Sequence, residues 1–124
     1  MYKRISYRLT KPGSFNNLKQ TTEEIPSPSP EEVTVSIKAI GLNFADVFTV
    51  LGLYKAAPKG SFIPGLEFSG EIIDTGASVT HLKKGDRVFG VTKFGAYTTC
   101  LNIDERYVIQ LPEAWTYDDG AAFP

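Results

Sequence analysis

The sequence predicts a β-rich barrel with small helical elements. Three observations carry that expectation: stretches in which apolar and polar residues alternate, glycine and proline turns that separate them at short intervals, and one short segment with helical spacing. The chain has 124 residues, 42% hydrophobic and 22% charged, which fits one globular domain that removes roughly two thirds of its unfolded surface from water.

The opening MYKRISYRLTKPG carries basic residues with no apolar core segment behind them. The connector PSPSPEE, Pro26 to Glu32, has three prolines in five residues, and proline lacks the amide donor a strand ladder uses. In EEVTVSIKAIGLN, Val33, Val35, Ile37 and Ala39 alternate with Thr34, Ser36 and Lys38, the pattern of a strand with one buried face. NFADVFTVLGLY places Phe44, Val47, Phe48 and Leu51 at i, i+3, i+4 and i+7, with Gly52 positioned to end the run. That spacing predicts a short helix with an aromatic buried stripe.

LYKAAPKGSFIPG reads as a loop, and LEFSGEIIDTG as a strand that stops at a glycine turn. HLKKGDRVFGV is a turn feeding a short strand from Arg87 to Val91. AYTTCLNID alternates again, with Tyr97, Thr99, Leu101 and Ile103 on one side and Ala96, Thr98, Cys100 and Asn102 on the other. RYVIQLP is a last strand closed by Pro112. TYDDGAAFP starts a helix: Thr116 can cap it, and Asp118 and Asp119 sit in the first turn, where the positive end of the helix dipole favours them.

Several kinds of function are excluded at this level. Net charge is -1, and the basic residues are scattered among the acids, so no surface for a phosphate backbone exists and nucleic acid is not a partner. No run approaches the ~18 apolar residues a membrane span requires, which leads us to expect a soluble, cytoplasmic protein. One cysteine, Cys100, and one histidine, His81, cannot form a disulfide framework or a zinc centre. Cys100 reads as a small buried hydrophobe and His81 as a solvated turn residue. No glycine-rich phosphate loop precedes a helix, because the closely spaced Gly65 and Gly70 enclose Glu67 on a strand, so the chain cannot hold a dinucleotide unaided.

Taken in order and spacing, GLNFADVFTVLGLY, PGLEFSGEI, KKGDRVFG, FGAYTTC and LPEAWTYDDGAAFP resemble the N-terminal catalytic domain of the medium-chain dehydrogenase/reductase superfamily. The resemblance covers almost the whole chain. It is strongest to the zinc-free quinone oxidoreductase branch and its vesicle-amine-transport-protein-like members, which are NADPH-dependent reductases of quinones and activated enones. It implies a mainly β fold, a GroES-like partly open β-barrel with short helices, spanning residues 1–124. It also implies a nucleotide-binding domain and a C-terminal return segment outside this chain, leaving apolar surface free to self-associate. The alternative is a stand-alone GroES-like barrel that acts as a binding or assembly module.

In the zinc-dependent relatives the motif around Glu67 reads Gly-His-Glu, and a cysteine ligand stands where this chain has Asn43. Here the two ligand positions are Leu66 and Asn43, and the four-cysteine lobe of those relatives is missing after Gly85-Asp86-Arg87-Val88, so no metal site is expected. Glu67 then reads as a structural acid, to be satisfied by backbone amides or a basic partner. Asn43 and Asp46, three residues apart ahead of a helix, form a capping-box pattern. The resemblance adds a second role: Asn43 and Tyr54 as catalytic donors beside the nicotinamide and the substrate carbonyl, and Asn43 and Asp46 as contacts to NADPH. An amide and a phenol are suitable donors for an oxyanion formed without metal.

Overall fold

The computed structural model describes residues 1–54 and 57–124. Strand β1 (Tyr2–Leu9) pairs antiparallel with β2 (Leu18–Ile25), in register from Tyr2 opposite Ile25 to Leu9 opposite Leu18. A second sheet has five strands in the order β6-β3-β4-β5-β7, all neighbours antiparallel: β3 (Glu32–Gly41), β4 (Glu67–Thr75), β5 (Arg87–Val91), β6 (Cys100–Asp104) and β7 (Val108–Gln110). Two register shifts in β3, at Thr34/Val35 and Ile37/Ala39, bend the strand as bulges do.

Residues 97–99 join the two sheets. Tyr7 N donates to Tyr97 O and Thr99 N to Ile5 O, while Ile37 N donates to Thr99 O, each at 2.9 Å. The hairpin is thereby sewn to the edge of the larger sheet, giving the partly open barrel expected. Its core is Val33, Val35, Phe68, Ile72, Val88, Ala96, Ile103 and Val108, and a smaller cluster of Leu9, Val50 and Phe62 sits under the first helix.

Most elements fall where the residue pattern places them, with several differences. The hairpin β1–β2 was not expected: the run Ile5, Tyr7, Leu9 alternates, but Ile5 and Tyr7 are exposed and the inward partners are Arg4, Ser6 and Arg8. Regular pairing in β6 begins only at Cys100, because Tyr97, Thr98 and Thr99 are shared between β1 and β3. A 3-10 turn at Glu105–Tyr107 shortens the last strand to Val108–Gln110. Thr34, assigned to a polar face, is fully buried, where its hydroxyl meets the amide of Asn102. The loop expected after Gly52 includes Lys55 and Ala56, which lie outside the described residues.

Helix α1 (Phe44–Val50) exists as predicted, but its faces are reversed. Phe44 is 83% exposed and Phe48 50%, while Asp46, Thr49 and Val50 are the buried positions. Periodicity identifies a stripe, not the body that covers it, and within this chain the aromatic stripe meets solvent. Gly52 ends the element with φ +81°, a left-handed conformation that glycine adopts without steric cost.

Helix α2 (Tyr117–Ala122) begins with the expected cap: Asp119 N donates to Thr116 Oγ1 at 3.1 Å, and Thr116 N to Asp119 Oδ2 at 2.9 Å. It lies across β4, where the Ser69 hydroxyl donates to the Tyr117 carbonyl, so β4 is covered on both sides. That coverage explains the unbroken burial from Glu67 to Gly70.

Candidate functional site

The site is built where β3 ends. Register pairs Gly41 with Glu67, so Glu67 emerges beside the turn that carries the chain into α1. Glu67 is 8% exposed, and a carboxylate removed from water needs a donor. The donor is neither a backbone amide nor a basic side chain: Asn43 Nδ2 donates to Glu67 Oε1 at 3.1 Å. Gly41 makes the room, since a Cβ there would lie 2.0 Å from Oε1.

Asn43 is also the N-cap of α1. Its backbone N–H donates to Asp46 Oδ2 at 3.0 Å, and Asp46 N–H donates back to the Asn43 carbonyl at 3.0 Å. The capping pair read from the sequence is therefore present through Asp46, while the Asn43 side chain is turned to Glu67. Asp46 is 4% exposed, so its carboxylate faces the protein and the first turn.

A fourth residue joins from the far end of the chain. Burial of Tyr97 first, then the Asp46 carboxylate, push its phenol far above the usual tyrosine range. Tyr97 packs over Gly65, whose φ of +112° and missing Cβ both matter, because a Cβ would sit 2.7 Å from the Tyr97 ring. Sequence reasoning passed over Tyr97. Its only signal was the turn glycine Gly65 in PGLEFSG, which marks a close approach without naming what approaches.

Tyr54 stands apart from this cluster. It is 43% exposed on the segment after α1, and no hydrogen bond joins it to Asn43 among the described residues. Beside the cluster, an open apolar groove of about 420 Å³ runs along Ile5, Tyr7, Ile37 and Ala39 and ends at Leu42 and Tyr97.

Among the described residues no three histidine, cysteine, aspartate or glutamate side chains come together as a metal site would require. His81 is exposed in its turn, and Cys100 is buried, its thiol pushed up by burial. No helix among the described residues is long and apolar enough to cross a membrane.

Residues 29–113, a span that includes Asn43, Glu67 and Tyr97, match the alcohol dehydrogenase GroES-like domain. The chain belongs to that family. Among relatives of this GroES-like domain, it is 40% identical over 111 residues to quinone oxidoreductase-like protein 2 of Mus musculus, covering 86% of this chain and 32% of that protein. Among solved structures, it is similar to human synaptic vesicle membrane protein VAT-1 homolog-like protein, with TM-score 0.94 and 29% identity over 99% of this chain and 40% of that one. It is also similar to Escherichia coli quinone oxidoreductase complexed with NADPH, with TM-score 0.82 and 30% identity over 98% of this chain and 37% of that one. The GroES-like domain thus spans about a third of the length of the quinone oxidoreductase-like relatives it matches.

Proposed function

We propose that this chain is the substrate-side domain of a zinc-free, NADPH-dependent reductase of quinones or enones, completed by a nucleotide-binding domain. The observation that carries the reading is the Asn43–Glu67 hydrogen bond. A planar amide has two N–H groups; with one committed to Glu67, the plane is fixed and the other is aimed away from the carboxylate. An oriented neutral donor suits a carbonyl oxygen that gains negative charge as hydride adds. NADPH, when bound, supplies that hydride.

Asn43 is half-buried, and its second amide hydrogen fits either the substrate oxygen or the carboxamide of a nicotinamide. Asp46 does not suit the cofactor contact that the resemblance implied, since its carboxylate is buried and bound to the Asn43 N–H. Its part is to hold the turn that presents Asn43. Tyr54, exposed beyond α1, supplies a second donor when substrate and the partner domain close over it. The names of the relatives support the quinone class.

The test is NADPH oxidation by the full-length protein containing this domain, with benzoquinone and an α,β-unsaturated ketone as acceptors. Acceptor-dependent turnover is expected, falling up to ~100-fold in Asn43→Ala with nucleotide affinity little changed. A protein that binds NADPH yet reduces neither acceptor would overturn the reading.

A further inference from the structure

Glu67 does more at the site than accept a bond. An asparagine amide can turn half a revolution about its last side-chain bond, which keeps its plane and exchanges Oδ1 for Nδ2. Whether residue 43 offers the cleft a donor or an acceptor therefore depends on what stands behind it. A carboxylate has no hydrogen to give. Behind Asn43 it accepts one sense of the amide and repels the other, because a reversed amide would set Oδ1 against Oε1 across the 3.1 Å that a hydrogen now bridges. A side-chain amide or a hydroxyl in the same place would tolerate both senses.

The fold gives Glu67 little freedom to move. Its backbone is paired on both sides, with Gly41 across β3 and with Val91 across β5. Its side chain runs over Gly41, where Cγ, Cδ and Oε1 all lie within 2.5 Å of the point a Cβ would occupy. Glu67 is buried, and among the described residues no lysine or arginine pairs with it. Asn43 Nδ2 is the side-chain donor bonded to its carboxylate, so a carboxylate removed from water depends on that amide keeping its present sense.

We propose that Glu67 is a positioning residue that fixes the polarity of Asn43, so that the cleft is offered an N–H and never the side-chain carbonyl. The ligand atom selected there is an acceptor: the carbonyl oxygen of a quinone or enone, or the oxygen end of a nicotinamide carboxamide, not its amino end. The consequence for turnover rests on the reductase reading. The polarity itself is a property of this chain, and each can fail without the other.

The polarity is read from the side-chain amide signals of the 124-residue chain by NMR. One Nδ2 hydrogen of Asn43 is expected to exchange slowly with solvent and to lie downfield of the other. In Glu67→Gln, whose side chain can give or accept, the two should exchange at similar rates. The second readout is turnover of benzoquinone in the full-length protein. Glu67→Gln should lower kcat about tenfold with KM for NADPH little changed. The exchanged pair, Asn43→Asp with Glu67→Gln, keeps the net charge and a hydrogen bond across the same gap with its sense reversed. It should melt close to the parent yet lose ~100-fold in kcat. Should these variants fail to fold, the slow and fast hydrogens of the parent decide the polarity alone. Equal exchange of the two Nδ2 hydrogens in the parent would overturn the proposal, as would an exchanged pair that turns over like the parent. A parent that reduces no acceptor but shows one protected hydrogen would sink the reductase reading and leave the polarity standing.

Discussion

Gly41 and Glu67 face each other across the β3–β4 ladder, and the Glu67 carboxyl fills the space a side chain at position 41 would occupy. Gly41→Ala must therefore push the carboxyl aside and strip Asn43 of its acceptor. The expected loss is about 1–3 kcal/mol in urea denaturation. Adding Glu67→Ala should recover part of it. Additive losses in the double variant would show that the two positions do not compete for the same space.

Asn43→Asp tests the same contact through pH. The new carboxylate stands at hydrogen-bonding distance from Glu67, so in the folded state the pair retains a proton to higher pH than in the unfolded chain. A folded pKa raised in this way gives stability that is present at acid pH and lost as pH rises through it. The variant should thus be less stable than the parent at neutral pH, with the gap narrowing as pH falls through the carboxylate range. A gap independent of pH would mean that residue 43 has turned away from Glu67.

Tyr2 and Asp74 offer a second pH-dependent pair, joined at 2.6 Å between the hydroxyl and the carboxylate. The bond from Tyr2 holds Asp74 below its usual range, and Asp74 in turn raises the Tyr2 phenol. Asp74's contribution is lost as pH falls through its depressed pKa, and Tyr2's as pH rises through its raised one. Tyr2→Phe should cost about 0.5–1 kcal/mol at this solvent-screened site, over the whole interval between them. Thermal melts should show the two proteins converging at both extremes.

Leu42, Phe44, Phe48 and Leu53 together give α1 and its flanks an apolar outer face. The isolated chain is expected to associate through it, reversibly and with rising concentration. Phe44→Glu combined with Phe48→Lys should leave the melting temperature nearly unchanged and abolish the association in sedimentation velocity. Persistent association in that variant would place the contact elsewhere.

Legibility in the sequence followed the range of the physics involved. Thr116 caps α2 as read, and Asp119, read only as a first-turn acid, returns a bond to the Thr116 N–H three residues back. The strand Arg87–Val91 was bounded by turn chemistry on one side and also appears as read. Asn43 and Glu67 are 24 residues apart, and only the bulged register of β3 on β4 brings them together, so no local pattern could announce the bond. The β1–β2 hairpin escaped notice because its inward face is charged: Arg4 and Arg8 reverse the alternation that marks a half-buried strand. For α1 the helix was legible but its orientation was not, since Asp46 and Thr49 are buried by side-chain bonds rather than by hydrophobicity.

The seam formed by residues 97–99 also sets a timetable. Ser6 meets Thr98 across 92 positions of sequence, and among the described residues the backbone pairings that hold β1 to the fold outside its hairpin are those with this segment and with Phe62. A ribosome releases the hairpin long before its docking strip exists, and the intervening sheet must assemble first. Closure is consequently a late event dominated by distant pairings, the regime in which barrels fold in milliseconds to seconds rather than microseconds. During that wait the Ile5 and Tyr7 edge lacks its backbone partners, an unpaired strand edge of the kind through which incompletely folded chains associate.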